Sequence, residues 1–297
     1  MFSLQPYLGL LEKSFLRKRY EPRQPQLFIL GLPRSGTTLI YQYIVHRLRV
    51  AYITNRAGHY YLAPCLITYL QRKALGDYVS DFQNRYGKVQ GALSPREAGA
   101  VWGRFFGVEN YVTLQEMPLK RRGTLQNTVA CIQSLFGNLP FVNKNVKHML
   151  RIEALTTIFS DAYFLVVERD LEQVALSVLR GRYANLRDPK EWWSVKPPNY
   201  MALKELPVAE QVTGQLISLQ RRMDSDFAKL PQERVIRLDY ESFCQEPEAI
   251  IKQLSAVFRK VGLRNTAVTH FKPSHKSPQN EEDKLLIDLV KKYEATR

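Results

Sequence analysis

One stretch narrows the fold more than any other: Gln26-Leu27-Phe28-Ile29-Leu30-Gly31-Leu32-Pro33-Arg34-Ser35-Gly36-Thr37-Thr38-Leu39-Ile40. A short apolar run, a glycine-bounded loop and a helical segment toward Val50 predict strand, tight turn and helix. Gly31 and Gly36 are spaced so that successive backbone N–H groups can converge on an anion. The helix that follows aims its positive end at the same point. A nucleoside-triphosphate loop carries Lys directly after the second glycine, and here that position is Thr37. The loop's cation is Arg34 instead, with hydroxyls from Ser35, Thr37 and Thr38 beside it. This combination suggests an anionic ligand other than ATP or GTP.

The rest of the chain predicts an α/β protein. Val50–Thr54 reads as a second short strand, completing a β-α-β unit that favours a parallel sheet. Residues 55–137 break that rhythm and predict a mainly helical insertion that caps the substrate site, since such insertions commonly carry binding residues. Strand order returns with Phe141–Lys144, then a helix from about Lys147 to Phe159. The apolar run before Arg169 predicts a buried parallel strand. A helix follows from Leu171 to about Tyr183, another from Val208 to Leu230, a strand over Val235–Tyr240, and a helix from Glu248 that stops at Gly262. The organisation is one domain over 1–297: a core at 24–54 and 138–270, the insertion, and a polar tail closing in a helix over 271–297. A leading helix spans Leu8 to Arg19.

With 297 residues, 45% of them hydrophobic, the chain can bury a full core. Its net charge of +15 implies anionic partners, but the basic residues are dispersed, which argues against nucleic acid. The three cysteines, Cys65, Cys131 and Cys244, have no metal-ligand or disulfide spacing. No secretory signal is evident, and no run approaches the roughly 18 apolar residues of a membrane span, so a cytoplasmic setting is expected. The aromatic run at 60–70 reads either as a peripheral membrane contact or as a buried cap helix.

A second constellation is Glu168-Arg169-Asp170 followed by Ser177 and Arg180. An Arg ending a buried strand sits at the sheet's carboxyl edge, as the first loop does, and α/β sheets bind ligands there. Ser177 lies roughly two helical turns on, with Arg180 on its face. Arg with a hydroxyl is what a second phosphate requires. Two phosphate sites on one edge fit a nucleotide with separate 5′ and 3′ groups.

In these blocks the chain resembles the sulfotransferases that use 3′-phosphoadenosine-5′-phosphosulfate (PAPS), in particular the branch with Pro-Arg-Ser-Gly-Thr-Thr found in tyrosylprotein and bacterial enzymes. The resemblance covers Leu27–Ile40, Phe141–Arg180, and Asp239-Tyr240-Glu241-Ser242-Phe243 with Glu246-Pro247-Glu248. It implies a three-layer P-loop-like fold and no metal. It implies that Arg34, Ser35, Gly36, Thr37 and Thr38 hold the 5′-phosphosulfate, that Arg169 and Ser177 hold the 3′-phosphate, and that adenosine 3′,5′-bisphosphate is the product. Arg180 and Tyr240 join the expected nucleotide contacts. Lys144 matches the family's lysine after the intervening strand, although Asn145 and Val146 replace its small polar residue and proline. Arg34 and Lys144 would stabilise the bridging oxygen.

An acceptor hydroxyl also needs a general base. The candidates are His59, Glu97 and His148. Ser94-Pro95-Arg96-Glu97 reads equally as a helix capping box. The acceptor, a small molecule, lipid or glycan, is not specified. Two other readings are weighed beside this one: a P-loop kinase or NTPase with Asp170 as its Mg²⁺-binding acid, and a non-catalytic anion- or membrane-binding protein.

Overall fold

The computed structural model describes residues 4–22, 24–75, 78–84, 87–107, 117–258 and 261–296. The elements run α1 (Gln5–Phe15), β1 (Gln26–Leu30), α2 (Thr37–Arg47), α3 (Asn55–His59), α4 (Pro64–Leu70), α5 (Gly99–Phe106), α6 (Leu119–Leu135) and β2 (Phe141–Lys144). They continue with α7 (Ile152–Ile158), β3 (Tyr163–Glu168), α8 (Leu171–Asn185), α9 (Tyr200–Leu203), α10 (Val208–Phe227), β4 (Val235–Asp239), α11 (Tyr240–Gln245), α12 (Pro247–Val257) and α13 (Glu281–Glu294). The fold is α/β, a parallel sheet in the order β2-β1-β3-β4 flanked by helices.

Every residue of β1 is buried, which is why its sequence is a continuous apolar run rather than an alternation. The register pairs Ile29 with Lys144, Leu30 with Val166, and Glu168 with Asp239. All four strands therefore end at one edge. The chain passes from β1 to β2 on one side and later to β3 and β4 on the other, so the order reverses beside β1. That reversal opens a crevice at the carboxyl ends of the strands.

Residues 50–54 do not form the expected strand. They make a single parallel bridge, Ala51 to Phe141, outside β2. Thr54 then leaves the sheet, its hydroxyl accepting from Ala57 N at 3.1 Å to cap α3. The helix expected from 147 to 159 is broken into a 3₁₀ turn, Val146–Leu150, and α7, with Arg151 between them. Gly262 is not a helix stop, since α12 ends at Val257; its carbonyl instead accepts from Arg49 N at 2.8 Å. The run at 60–70 becomes the short α4 and its approach, with Ala63, Pro64, Cys65, Ile67 and Thr68 buried beneath α1.

Glu248 closes the back of the molecule. Its carboxylate takes a two-pronged bond from Arg47, both contacts 2.8 Å, and accepts from the Tyr43 hydroxyl at 2.6 Å. The later signature block thus ties α12 to the far end of α2, the helix whose near end faces the crevice.

The core centres on Phe28, whose ring meets Trp102 at 6.0 Å and His148 at 5.4 Å. His148 is fully buried, edge-on to Trp102 at 4.5 Å, and its Nε2 is 3.0 Å from Asn143 Oδ1. Burial pushes its imidazole well below the ordinary value of 6.5, and burial also lowers His46. Such a group stays neutral in the fold but protonates once unfolded, so unfolding takes up a proton under acidic conditions. Its stabilisation is complete above 6.5 and is lost as pH falls below it. Unfolding free energy from urea titration should therefore drop between about pH 7 and about pH 5, by up to about 1.4 kcal/mol per pH unit for each such histidine. His148→Gln should flatten that slope; an unchanged slope would show that His148 does not titrate on unfolding.

Candidate active site

The loop between β1 and α2 is set by backbone conformation. Gly36 caps α2 in the left-handed region, φ 95°, and a Cβ there would drive into the Tyr240 ring. Arg34 also has a positive φ, 73°, a strained state for a side chain that tertiary contacts must hold. Its Nε donates to the Ser177 hydroxyl at 3.2 Å, across the crevice from β1 to α8.

Around Ser177 the structure gathers cations. Lys276 Nζ donates to the same hydroxyl at 3.2 Å. Burial, with Arg34, Arg169 and Arg180 nearby, pushes the Lys276 ammonium below its ordinary value. Arg169, leaving β3, lies with its guanidinium 4.4 Å over the Tyr240 ring and donates to the Arg34 carbonyl at 3.3 Å. Its Nε is buried without a hydrogen bond, 3.5 Å from Glu241. Like charges held this close, with a hydroxyl between them, fit an anion such as a phosphate.

These groups line an inner hollow of about 500 Å³ together with Thr37, Thr38, Lys144 and Tyr240. Lys144 stands at the end of β2, and its ammonium pairs with the Glu97 carboxylate. The capping box expected at Ser94–Glu97 does not form: α5 starts at Gly99, and the Ser94 hydroxyl turns to the Gln90 carbonyl. Glu97 is left free for Lys144, and Asn145 Nδ2 holds the Glu97 carbonyl at 3.1 Å. The point where a Cβ on Gly87 would sit is 3.3 Å from Glu97 Oε1, 3.5 Å from Thr38 Oγ1 and 3.8 Å from Lys144 Nζ. One small region is therefore shared by a carboxylate, a hydroxyl and an ammonium. Glu97 and Gly87 also line a second, outer hollow of about 720 Å³, with Arg56, His59, Tyr60 and Arg96. The two cavities meet at Glu97.

Of the sequence candidates, Arg34, Gly36, Thr37, Thr38, Glu97, Lys144, Arg169, Ser177 and Tyr240 meet in the inner hollow. Four do not. The Ser35 side chain is 1% exposed and faces inward, where Gly31 leaves it room. Arg180 donates to the Ser277 carbonyl and to Asp283 at 3.2 Å, anchoring the tail rather than lining the hollow. His148 lies in the core and reaches neither hollow. His59 is exposed in the outer hollow. Asp170 caps α8, accepting from Gln173 N at 2.9 Å.

Lys272, Ser274 and Lys276 from the tail, Trp193 and Ser194 before α9, and Phe82 with Phe271 also line the inner hollow. Sequence reasoning took none of them as site residues. The Lys-Pro-Ser-His-Lys segment carried a usable signal, two cations among small polar residues; Trp193 and Phe82 carried none.

The sequence model described as "Sulfotransferase family" matches residues 25–259. Omega-hydroxy-beta-dihydromenaquinone-9 sulfotransferase Stf3 of Mycobacterium bovis, and that of Mycobacterium tuberculosis, are 23% identical over 276 residues, covering 86% of this chain and 68% of theirs. In fold, the chain is similar to sulfotransferase STF1 from Mycobacterium tuberculosis, with TM-score 0.52, 13% identity, and 96% and 75% of the two chains covered. It is also similar to STF9 from Mycobacterium avium, with TM-score 0.51, 16% identity, and 99% and 72% covered.

Proposed function

The chain belongs to the sulfotransferase family, and we propose that it moves a sulfuryl group from PAPS to an acceptor hydroxyl by in-line displacement. The observation that carries this reading is the convergence, on one sheet edge, of two anion-binding groups: the 31–38 loop with Lys144, and Arg169 with Ser177 and Lys276. The donor supplies a sulfuryl group attached to a phosphate that leaves with its charge stabilised.

In this reading Thr37, Thr38 and the first N–H groups of α2, which have no acceptor within their own helix, hold the 5′ end. Ser177, Arg169 and Lys276 hold the 3′-phosphate, and Tyr240 closes the wall beside Gly36. The acceptor enters through the outer hollow and meets Glu97. As its oxygen attacks sulfur, Glu97 takes the hydroxyl proton, and Arg34 and Lys144 face the charge growing on the bridging oxygen. His59, further out, contacts the acceptor's body. A hydroxylated lipid or other small molecule suits this route, and the name of the mycobacterial relatives supports a lipid-like acceptor. A kinase reading needs Asp170 facing the phosphates, whereas that carboxylate is engaged as the α8 cap.

The test is thermal shift and calorimetry with adenosine 3′,5′-bisphosphate against ATP and Mg²⁺, followed by transfer of labelled sulfate to a pooled extract. Metal-independent stabilisation by the bisphosphate is expected; stabilisation only by Mg²⁺-ATP would overturn the reading. Ser177→Ala and Lys276→Ala should each weaken bisphosphate binding by about 10-fold, the value of one charge-assisted hydrogen bond. Adenosine 5′-phosphate, which lacks the 3′ group, should bind both variants as it binds the unmodified protein. An equal loss for both ligands would remove Ser177 and Lys276 from the 3′ site.

A further inference from the structure

The helix α1 is docked firmly on one side and bare on the other. The Glu12 carboxylate is buried and accepts from Cys65 N at 3.0 Å and Leu66 N at 2.8 Å, pinning α1 to the start of α4. Gln5 Nε2 donates to the His59 carbonyl at 2.7 Å. With this face fixed, the opposite face cannot turn inward. With Leu4 at its N-cap, it carries Tyr7, Leu10 and Leu11; the four are 64%, 65%, 61% and 57% exposed. At 100° per residue these four fall within an arc of roughly 120°. A continuous apolar stripe on a fixed surface helix is an unfilled contact, not scattered exposure.

What fills it is indicated by charge. Lys13, Arg17, Lys18 and Arg19 are all exposed at the helix's end and just beyond it, and among the described residues none of them is in an ion pair. Arg17 and Arg19 share a hollow with Lys120, next to Leu119, which is 78% exposed. A protein partner of ordinary composition would match an apolar stripe or a cationic patch. An anionic bilayer matches both together: acyl chains take leucines and the tyrosine ring, and the headgroup layer takes the cations.

We propose that the outward face of α1, with the cations that follow it, seats the protein on the surface of an anionic lipid bilayer. The hydrogen bond from Gln5 to His59 ties this seat to the rim of the outer hollow, so the same docking brings that opening close to the lipid. The consequence for acceptor delivery rests on the sulfuryl-transfer reading; the docking itself does not, and it is measured without donor or acceptor.

The full chain is sedimented with vesicles of phosphatidylcholine alone and of phosphatidylcholine mixed with phosphatidylglycerol. Binding is expected to the mixed vesicles, and to weaken as salt shortens the screening length below about 10 Å. Leu10→Glu with Leu11→Glu should reduce binding about 10-fold or more. Arg17→Gln with Arg19→Gln should reduce it about 5-fold per charge and flatten the salt dependence. Leu285→Glu, at an exposed leucine of α13, should change nothing. Thermal unfolding of each variant separates lost binding from lost folding. Absence of binding to the mixed vesicles, or an equal loss with Leu285→Glu, overturns the proposal. So does a dimer in light scattering that the Leu10 and Leu11 variant dissolves, because a second copy would then cover the stripe.

Discussion

Glu97→Gln is expected to lower kcat about 10²- to 10⁴-fold while leaving affinity for adenosine 3′,5′-bisphosphate within about 3-fold. The amide keeps the size of the side chain but cannot accept the acceptor's proton. Its position is the reason for the split: Glu97 lines both hollows, and its partner is Lys144 rather than the Arg34, Ser177 and Lys276 cluster. A residue that merely held Lys144 in place would also slow turnover, so the deciding measurement is the pH profile of kcat/KM. If Glu97 is the base, the acidic limb of that profile disappears in the variant, leaving a low, flat rate. If the limb survives at reduced height, Glu97 positions Lys144 and another group takes the proton. His59, which shares the outer hollow, is then the next residue to replace.

Arg34→Ala and Lys144→Ala should each reduce turnover about 10²- to 10³-fold, the usual cost of losing one group that stabilises charge in the transition state. The two differ in a second respect. Arg34 reaches Ser177 through its Nε at 3.2 Å, so its loss should also weaken bisphosphate binding. Lys144 engages Glu97 and stands at the other end of the hollow, so its loss should leave that binding nearly unchanged. Single-turnover rates at saturating donor, set beside bisphosphate affinities, give both quantities. Full turnover in either variant would remove that residue from the stabilisation of the leaving oxygen. Arg34→Lys is expected to recover part of the rate, since an ammonium supplies charge without the planar fork that spans to α8.

The inner hollow was largely legible because parallel strands leave little freedom. Once β1, β2, β3 and β4 run the same way, whatever follows each strand arrives at one edge: the glycine loop, Lys144, Arg169 and Tyr240. A residue number at a strand end is then nearly a position in space. The same logic fails one step away. His148 is four residues past Lys144, yet the 3₁₀ turn swings it under Phe28 and Trp102. Glu97 sits in a sequence that satisfies a capping rule, and only the late start of α5 and the pull of Asn145 free it for Lys144. Arg180 has the helical spacing to join Ser177, but Asp283 from α13 takes its guanidinium.

By itself the sequence determined β1 to β4, their shared carboxyl edge and the glycine loop between β1 and α2, because burial in a parallel sheet, glycine turns and helix starts are local consequences of residue type and spacing. Tertiary structure alone decided which carboxylate meets Lys144, that the tail returns Lys276 to Ser177, and that α1 turns four apolar side chains outward. Those outcomes depend on irregular segments, whose paths are set by contacts with residues far along the chain rather than by any periodicity of their own.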